Sequence, residues 1–122
     1  MSILSSFLNA IKQNKYYDVL KYDNLSNEYN YIEYFYCLTY KDLMYYYNVP
    51  FKDSFYIIKH IKNYYLLDDF LKKINQKKYV INLLNHGYYS LEKLKKVRLN
   101  YLIKWCNIKE KDAKFIFQSI KN

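Results

Sequence analysis

Phe7-Leu8-Asn9-Ala10-Ile11-Lys12-Gln13-Asn14-Lys15-Tyr16 returns as Phe70-Leu71-Lys72-Lys73-Ile74-Asn75-Gln76-Lys77-Lys78-Tyr79, an offset of 63 positions. Further on, Asn48-Val49, Lys52-Asp53, Ile57, Ile61, Lys62 and Asn63 return as Asn107-Ile108, Lys111-Asp112, Ile116, Ile120, Lys121 and Asn122, an offset of 59. The second register holds without a gap from Leu38/Val97 to the end, so the two copies differ by four residues in their middle. The matches fall mainly on apolar positions and on boundary residues, which is what two segments sharing one fold preserve. A period of about 60 residues exceeds a solenoid unit, so the chain reads as two small domains in tandem.

Composition narrows the classes. A chain of 122 residues is by default one domain, and two minimal units with thin cores also fit that length. A hydrophobic content of 52% argues against a disordered chain. No apolar run approaches the roughly 20 residues a spanning helix needs, and Met1-Ser2-Ile3-Leu4 lacks the features of a signal peptide. Cys37 and Cys106 occupy non-equivalent places in the repeat, so no shared disulfide or metal site is expected, and an intracellular, cytoplasmic location is. One Gly and one Pro disfavour a turn-rich β architecture. The 18 tyrosines read as the coding bias of an AT-rich sequence, not as a functional signal.

The apolar spacing predicts an all-α chain of two five-helix units, residues 1–65 and 66–122. In the first, residues 4–13 carry Leu4, Phe7, Leu8 and Ile11 at helical spacing, and residues 15–22 place Tyr16, Val19 and Leu20 on one face. A polar break at 23–27 precedes a short segment at 31–35. Thr39 then stands as N-cap with Asp42 in the capping-box position, and Asn48 marks the helix end. Asp53 is expected to cap the last helix, with Ile57, Ile58, Ile61 and Tyr65 as its inner stripe. The second unit repeats the scheme with Phe70, Leu71, Ile74, Tyr79, Leu83, Leu84, Leu91, Leu94, Leu102 and Trp105, then Asn107, Asp112, Ala113, Ile116, Phe117 and Ile120. Residues 63–69 lack Gly and Pro, which predicts a stiff or continuous helical junction holding the units in one orientation.

The order of these residues resembles the sterile alpha motif (SAM) domain, a five-helix bundle of about this length. The family opens with an aromatic-Leu pair, an apolar residue, a Tyr and a large apolar residue four beyond. Phe7-Leu8, Ile11, Tyr16 and Leu20 fit that register, as do Phe70-Leu71, Ile74, Tyr79 and Leu83. The family's Leu-Thr-x-x-Asp-Leu helix start stands intact at residues 38–43, and its Gly-Ile before the last helix appears as Asn48-Val49 and Asn107-Ile108. There are departures. The first-loop Leu is Gln13 and Gln76, the family's glycines are Asn, Asp or Lys here, and the second helix-four motif decays to Val97-Arg98-Leu99-Asn100-Tyr101-Leu102.

No enzyme chemistry or cofactor site is expected. His60 and His86 have no ligand-type neighbour at metal spacing and read as surface or partly packed imidazoles. Cys106 beside Trp105 reads as a small packed residue with no positioned base. Gly87 alone cannot make a phosphate loop. Asp68-Asp69 reads as a helix-start pair complementing the dipole. The runs Tyr45-Tyr46-Tyr47, Tyr64-Tyr65 and Tyr88-Tyr89 read as core and inter-domain contacts.

Charge is divided unevenly. Residues 1–63 carry a net +1 and residues 64–122 a net +8, within the total of +9. Four acids, Asp23, Glu28, Glu33 and Asp42, fall in the middle of the first copy. Its counterpart in the second copy carries Lys93, Lys95, Lys96 and Arg98, followed by Lys109, Lys111 and Lys114 at the last helix. By the resemblance, SAM-like domains associate head to tail, the central face of one against the start of the last helix of another. The acidic middle of copy one then suits the basic end of copy two, and such complementarity mainly speeds encounter and fixes register. The first expectation is therefore a non-enzymatic protein-interaction adaptor that binds itself or another SAM-like domain, as a homo-oligomer or hetero-oligomer. The alternative is RNA or other nucleic-acid binding through the same basic residues, with steep salt dependence. A third is peripheral contact with anionic membrane, disfavoured because no amphipathic helix has a continuous Lys-flanked aromatic face.

Overall fold

The computed structural model describes residues 2–21 and 32–121, all helical or loop, with no strand among them. In chain order the helices are α1 Ile3–Ala10, α2 Tyr17–Leu20, α3 Tyr40–Tyr47, α4 Phe51–Lys73, α5 Val80–Leu84, α6 Leu91–Leu94, α7 Leu99–Lys104 and α8 Glu110–Lys121. Tight 3-10 turns fill Asn14–Tyr16, Ile32–Cys37 and Lys77–Tyr79. No helix of the described residues is long and apolar enough to cross a membrane. The expected break at 23–27 lies outside the described residues.

The repeat is visible bond by bond. Lys12 and Asn75, 63 positions apart, both turn left-handed, at φ 62° and 59°. The next amides, of Gln13 and Gln76, donate back to the Leu8 and Leu71 carbonyls at 2.8 Å in both copies. Asn48 and Asn107 share φ 57°, and the amides of Val49 and Ile108 close onto the Leu43 and Leu102 carbonyls at 3.1 Å. Each is a helix C-terminus closed by a left-handed residue, where Asn is the natural substitute for Gly. That turn ends α1 at Ala10, three residues short of the expected end.

Local capping explains the starts. Ser2 accepts from the Ser5 amide at 3.0 Å. Thr39 and Asp42 form the reciprocal box, the Thr39 amide donating to Asp42 at 2.8 Å and the Asp42 amide to Thr39 Oγ1 at 3.3 Å. Asp53 and Asp112 do not cap as expected. Pro50 holds the N-cap position of α4, and both carboxylates sit in a first turn where the dipole favours them. Both instead accept a tyrosine hydroxyl: Tyr16 donates to Asp53, and Tyr79 to Asp112 at 2.5 Å. Lys15 and Lys78 stand 3.7 Å from the same two carboxylates. The repeated Asp is a tie between the second and last segments of each copy.

The junction is a continuous helix. α4 carries 23 residues because the buried stripe Ser54, Ile57, Ile58, Ile61 runs on without interruption through Tyr64, Leu67, Asp68 and Leu71. Tyr64, not Tyr65, continues the stripe; Tyr65 points outward at 49% exposure. The last helix of copy one is thus also the first helix of copy two. α1 packs on α5 across the copies, Phe7 meets the edge of Tyr64 at 5.5 Å, and buried side chains of both copies join one core. Trp105, expected inside, is 57% exposed, and Val19 is 45% exposed; Cys106 is buried.

Candidate functional site

Asp68 shows what the junction encloses. Being in the interior of α4, it does not start a helix, and it is 1% exposed. Tyr36 donates to it at 3.0 Å, Lys72 pairs with it at 3.2 Å, and Lys77 lies 3.4 Å from its other oxygen as a charge contact. Lys77 also pairs with Glu33 at 3.2 Å. Burial, then the Asp68 charge, pushes the Tyr36 and Tyr64 phenols well above their ordinary range. This network joins the Ile32–Cys37 turn, α4 and the Lys77–Tyr79 turn. With every carboxylate paired and Tyr36 held neutral, it is built to hold segments together and not to move protons.

The expected acidic face therefore splits. Asp23 and Glu28 lie outside the described residues. Glu33 is paired to Lys77, and Asp42 is engaged in its capping box. Both keep their charge at or near the surface, but each is fixed by the chain itself.

The expected basic residues are all exposed: Lys93, Lys95 and Lys96 around α6, Arg98 before α7, and Lys109, Lys111 and Lys114 at the start of α8. Among the described residues, Lys114 is the one of these in an ion pair, to Glu110 at 3.5 Å. The Lys93 ammonium stands over the Tyr89 ring at 5.1 Å, and the neighbouring Lys104 over Trp105 at 5.5 Å.

Superposing the registers exposes a second surface. At offset 59, Lys104, Trp105, Glu110 and Lys114 correspond to Tyr45, Tyr46, Phe51 and Phe55. Those four aromatics are exposed by 83%, 78%, 56% and 54%. Tyr40 meets the rings of Phe51 and Phe55 edge-on at 5.4 and 5.9 Å. The last two helices of the repeat thus show four exposed rings in copy one, where copy two has two lysines, a glutamate and one ring. Tyr45 and Tyr46 are not the core residues their run suggested. The signal was in the repeat at three of these positions: true core positions stay apolar in both copies, whereas Tyr45, Phe51 and Phe55 give way to Lys104, Glu110 and Lys114, and Tyr46 alone keeps a ring, as Trp105.

No group of three or more potential metal ligands gathers among the described residues. Cys37 and Cys106 are free thiols, and burial pushes the Cys106 thiol up to about 11, away from nucleophilic use. No family model matches the chain, and no curated protein or solved structure compared with it matches either.

Proposed function

We propose that the chain is a non-enzymatic interaction module of two fused SAM-like repeats, docking a partner through the exposed end of the closing helix in each. The observation that carries this reading is a change of chemistry at equivalent positions, Tyr45 and Phe55 of copy one standing where copy two has Lys104 and Lys114, with Tyr46 and Phe51 also exposed in copy one and Lys109 and Lys111 in copy two. Aromatics supply contact area and cations steer an acidic partner. The complement for the basic end is the acidic middle carrying Glu33 and Asp42, on a second copy or another SAM-like domain. A head-to-tail contact of this kind propagates if the rotation does not close. Light scattering across a salt series tests it. The wild type is expected to associate at low salt and dissociate as salt rises, and Lys111→Glu with Lys114→Glu to weaken association at least tenfold and flatten the salt response. A monomer at every salt concentration, or an unchanged double variant, would overturn it.

A second reading, RNA binding, is favoured by the exposed Trp105 ring with the Lys104 ammonium over it, since a ring beside a cation is a stacking platform. Retardation of an RNA hairpin at low salt, lost in Trp105→Ala, distinguishes it.

A further inference from the structure

Away from both helix ends, a groove of ≈ 360 Å³ opens between α4 and α6. Lys59, His60 and Asn63 line it from α4; Tyr89, Ser90, Glu92, Lys93 and Lys96 line it from the segment around α6. Three lysines thus face one carboxylate across a concave surface, and none of the three is in an ion pair among the described residues. The cations come from both copies, and only the shared helix and the docking of α6 on it bring them together.

His60 is the unusual member. Its ring is held edge-to-face between Tyr56 at 4.4 Å and Tyr89 at 5.0 Å. Its Nδ1 is buried without a hydrogen-bond partner. An Nδ1–H there would bury a donor with no acceptor, so the neutral ring keeps its proton on Nε2 as the donor it has to offer. Burial, then the charges of Lys59 and Lys93, holds its pKa below the ordinary imidazole value. Both ammonium groups therefore act on the same point. Concentrating like charge in a concavity is unfavourable by itself and is relieved by a bound anion.

We propose that this groove is a phosphate-binding site, in which Lys59, Lys93 and Lys96 neutralise a phosphate monoester and the His60 and Tyr89 side chains supply neutral donors. Lysine serves as the point-charge phosphate ligand, and the volume leaves room for the group that bears the phosphate. The bearer is either a small organic phosphate or a phosphorylated side chain of a partner. The site is independent of what the helix ends bind.

The two histidines make the test direct, because His86, exposed in the turn after α5 and edge-on to Tyr101 at 5.9 Å, does not line the groove and reports non-specific effects. Imidazole NMR signals of the full chain are followed while inorganic pyrophosphate, or a short glycine peptide carrying one phosphoserine, is added at low salt. A saturable shift of His60 alone is expected. Its titration midpoint should rise on binding, since a nearby dianion favours the imidazolium. Lys93→Gln and Lys96→Gln should each weaken binding at least fivefold, and Lys73→Gln should not. Tighter binding of the peptide identifies a partner side chain as the source, and tighter pyrophosphate binding a diffusible phosphate. A shift that never saturates, that appears equally in His86, or that survives both Lys→Gln changes would overturn the proposal.

Discussion

One left-handed backbone position takes a different residue in each copy, and two tyrosine–aspartate pairs make the copies alike. Lys12 holds a left-handed conformation that its counterpart Asn75 tolerates better. Lys12→Gly should therefore stabilise the chain by about 0.5–1 kcal/mol, while Asn75→Gly gains less. Denaturant midpoints at constant slope check the comparison. The Tyr16–Asp53 and Tyr79–Asp112 ties are equivalent in geometry and partners. Removing a hydroxyl that donates to a carboxylate costs about 1–2 kcal/mol. Tyr16→Phe and Tyr79→Phe should thus cost similar amounts, with Tyr79 the larger because it is buried. A tie that costs nothing in one copy would show that the copies have diverged in what holds them.

Among the elements, α4 was foreshadowed in its continuity but not in its cap, in Tyr65 or in Asp68, since a segment free of Gly and Pro with an unbroken apolar stripe has no reason to stop. What the stripe did not announce is that it passes through a charge. Asp68 sits where an apolar residue would be expected, and it is tolerated because Tyr36, Lys72 and Lys77 converge on it from three segments. Such convergence depends on tertiary folding and has no local sequence signature. The same limit hid the exposure of Trp105, Tyr45 and Tyr46, since periodicity reports which side of a helix is apolar and not whether anything covers it. Asp68→Ala leaves Tyr36 without its acceptor and Lys72 without its ion-pair partner, while Lys77 keeps Glu33, and should cost about 2–3 kcal/mol, moderated because both lysines can reach water. Asp68→Asn, which keeps an acceptor for Tyr36, should cost less. At the helix itself, Leu66→Gly on the exposed side should cost about 1 kcal/mol and Leu66→Pro about 3 kcal/mol or more.

For the whole molecule, one shared helix and one joined core predict one unfolding transition. Two domains joined by a linker would give two. Calorimetric and van't Hoff enthalpies should therefore agree in the wild type. The pH limits follow from groups whose proton affinity folding changes. Tyr16 is pushed up to about 12, first by burial and then by Asp53, and Tyr36 and Tyr64 are raised in the same direction. Unfolded phenols lose their protons from the ordinary value of 10.0, so above it the unfolded state binds fewer protons and gains relative stability. Stability should be fully present below pH 10 and fall as pH rises towards 12 and beyond, with phenolate absorbance appearing in a cooperative step as the chain opens. On the acid side, His60 is lowered from 6.5, so the unfolded chain takes the proton first and stability should begin to fall below that pH. Asp112, lowered mainly by the Tyr79 hydroxyl, contributes a further loss below 3.8. Urea midpoints from pH 4 to 11 should trace a plateau between these limits.

A helix shared by two repeats also acts as a protractor. Each residue of α4 advances the backbone about 1.5 Å and turns it about 100°, so the angle between the aromatic end of copy one and the cationic end of copy two is set by a residue count. One residue inserted between 63 and 69 would swing the second face about a quarter turn and set α1 against its seat on α5. Seven residues, close to two full turns, would nearly restore the bearing while pushing the faces about 10 Å apart. The direction in which this chain presents its two surfaces is thus counted out along one helix, and only certain lengths of that helix can read true.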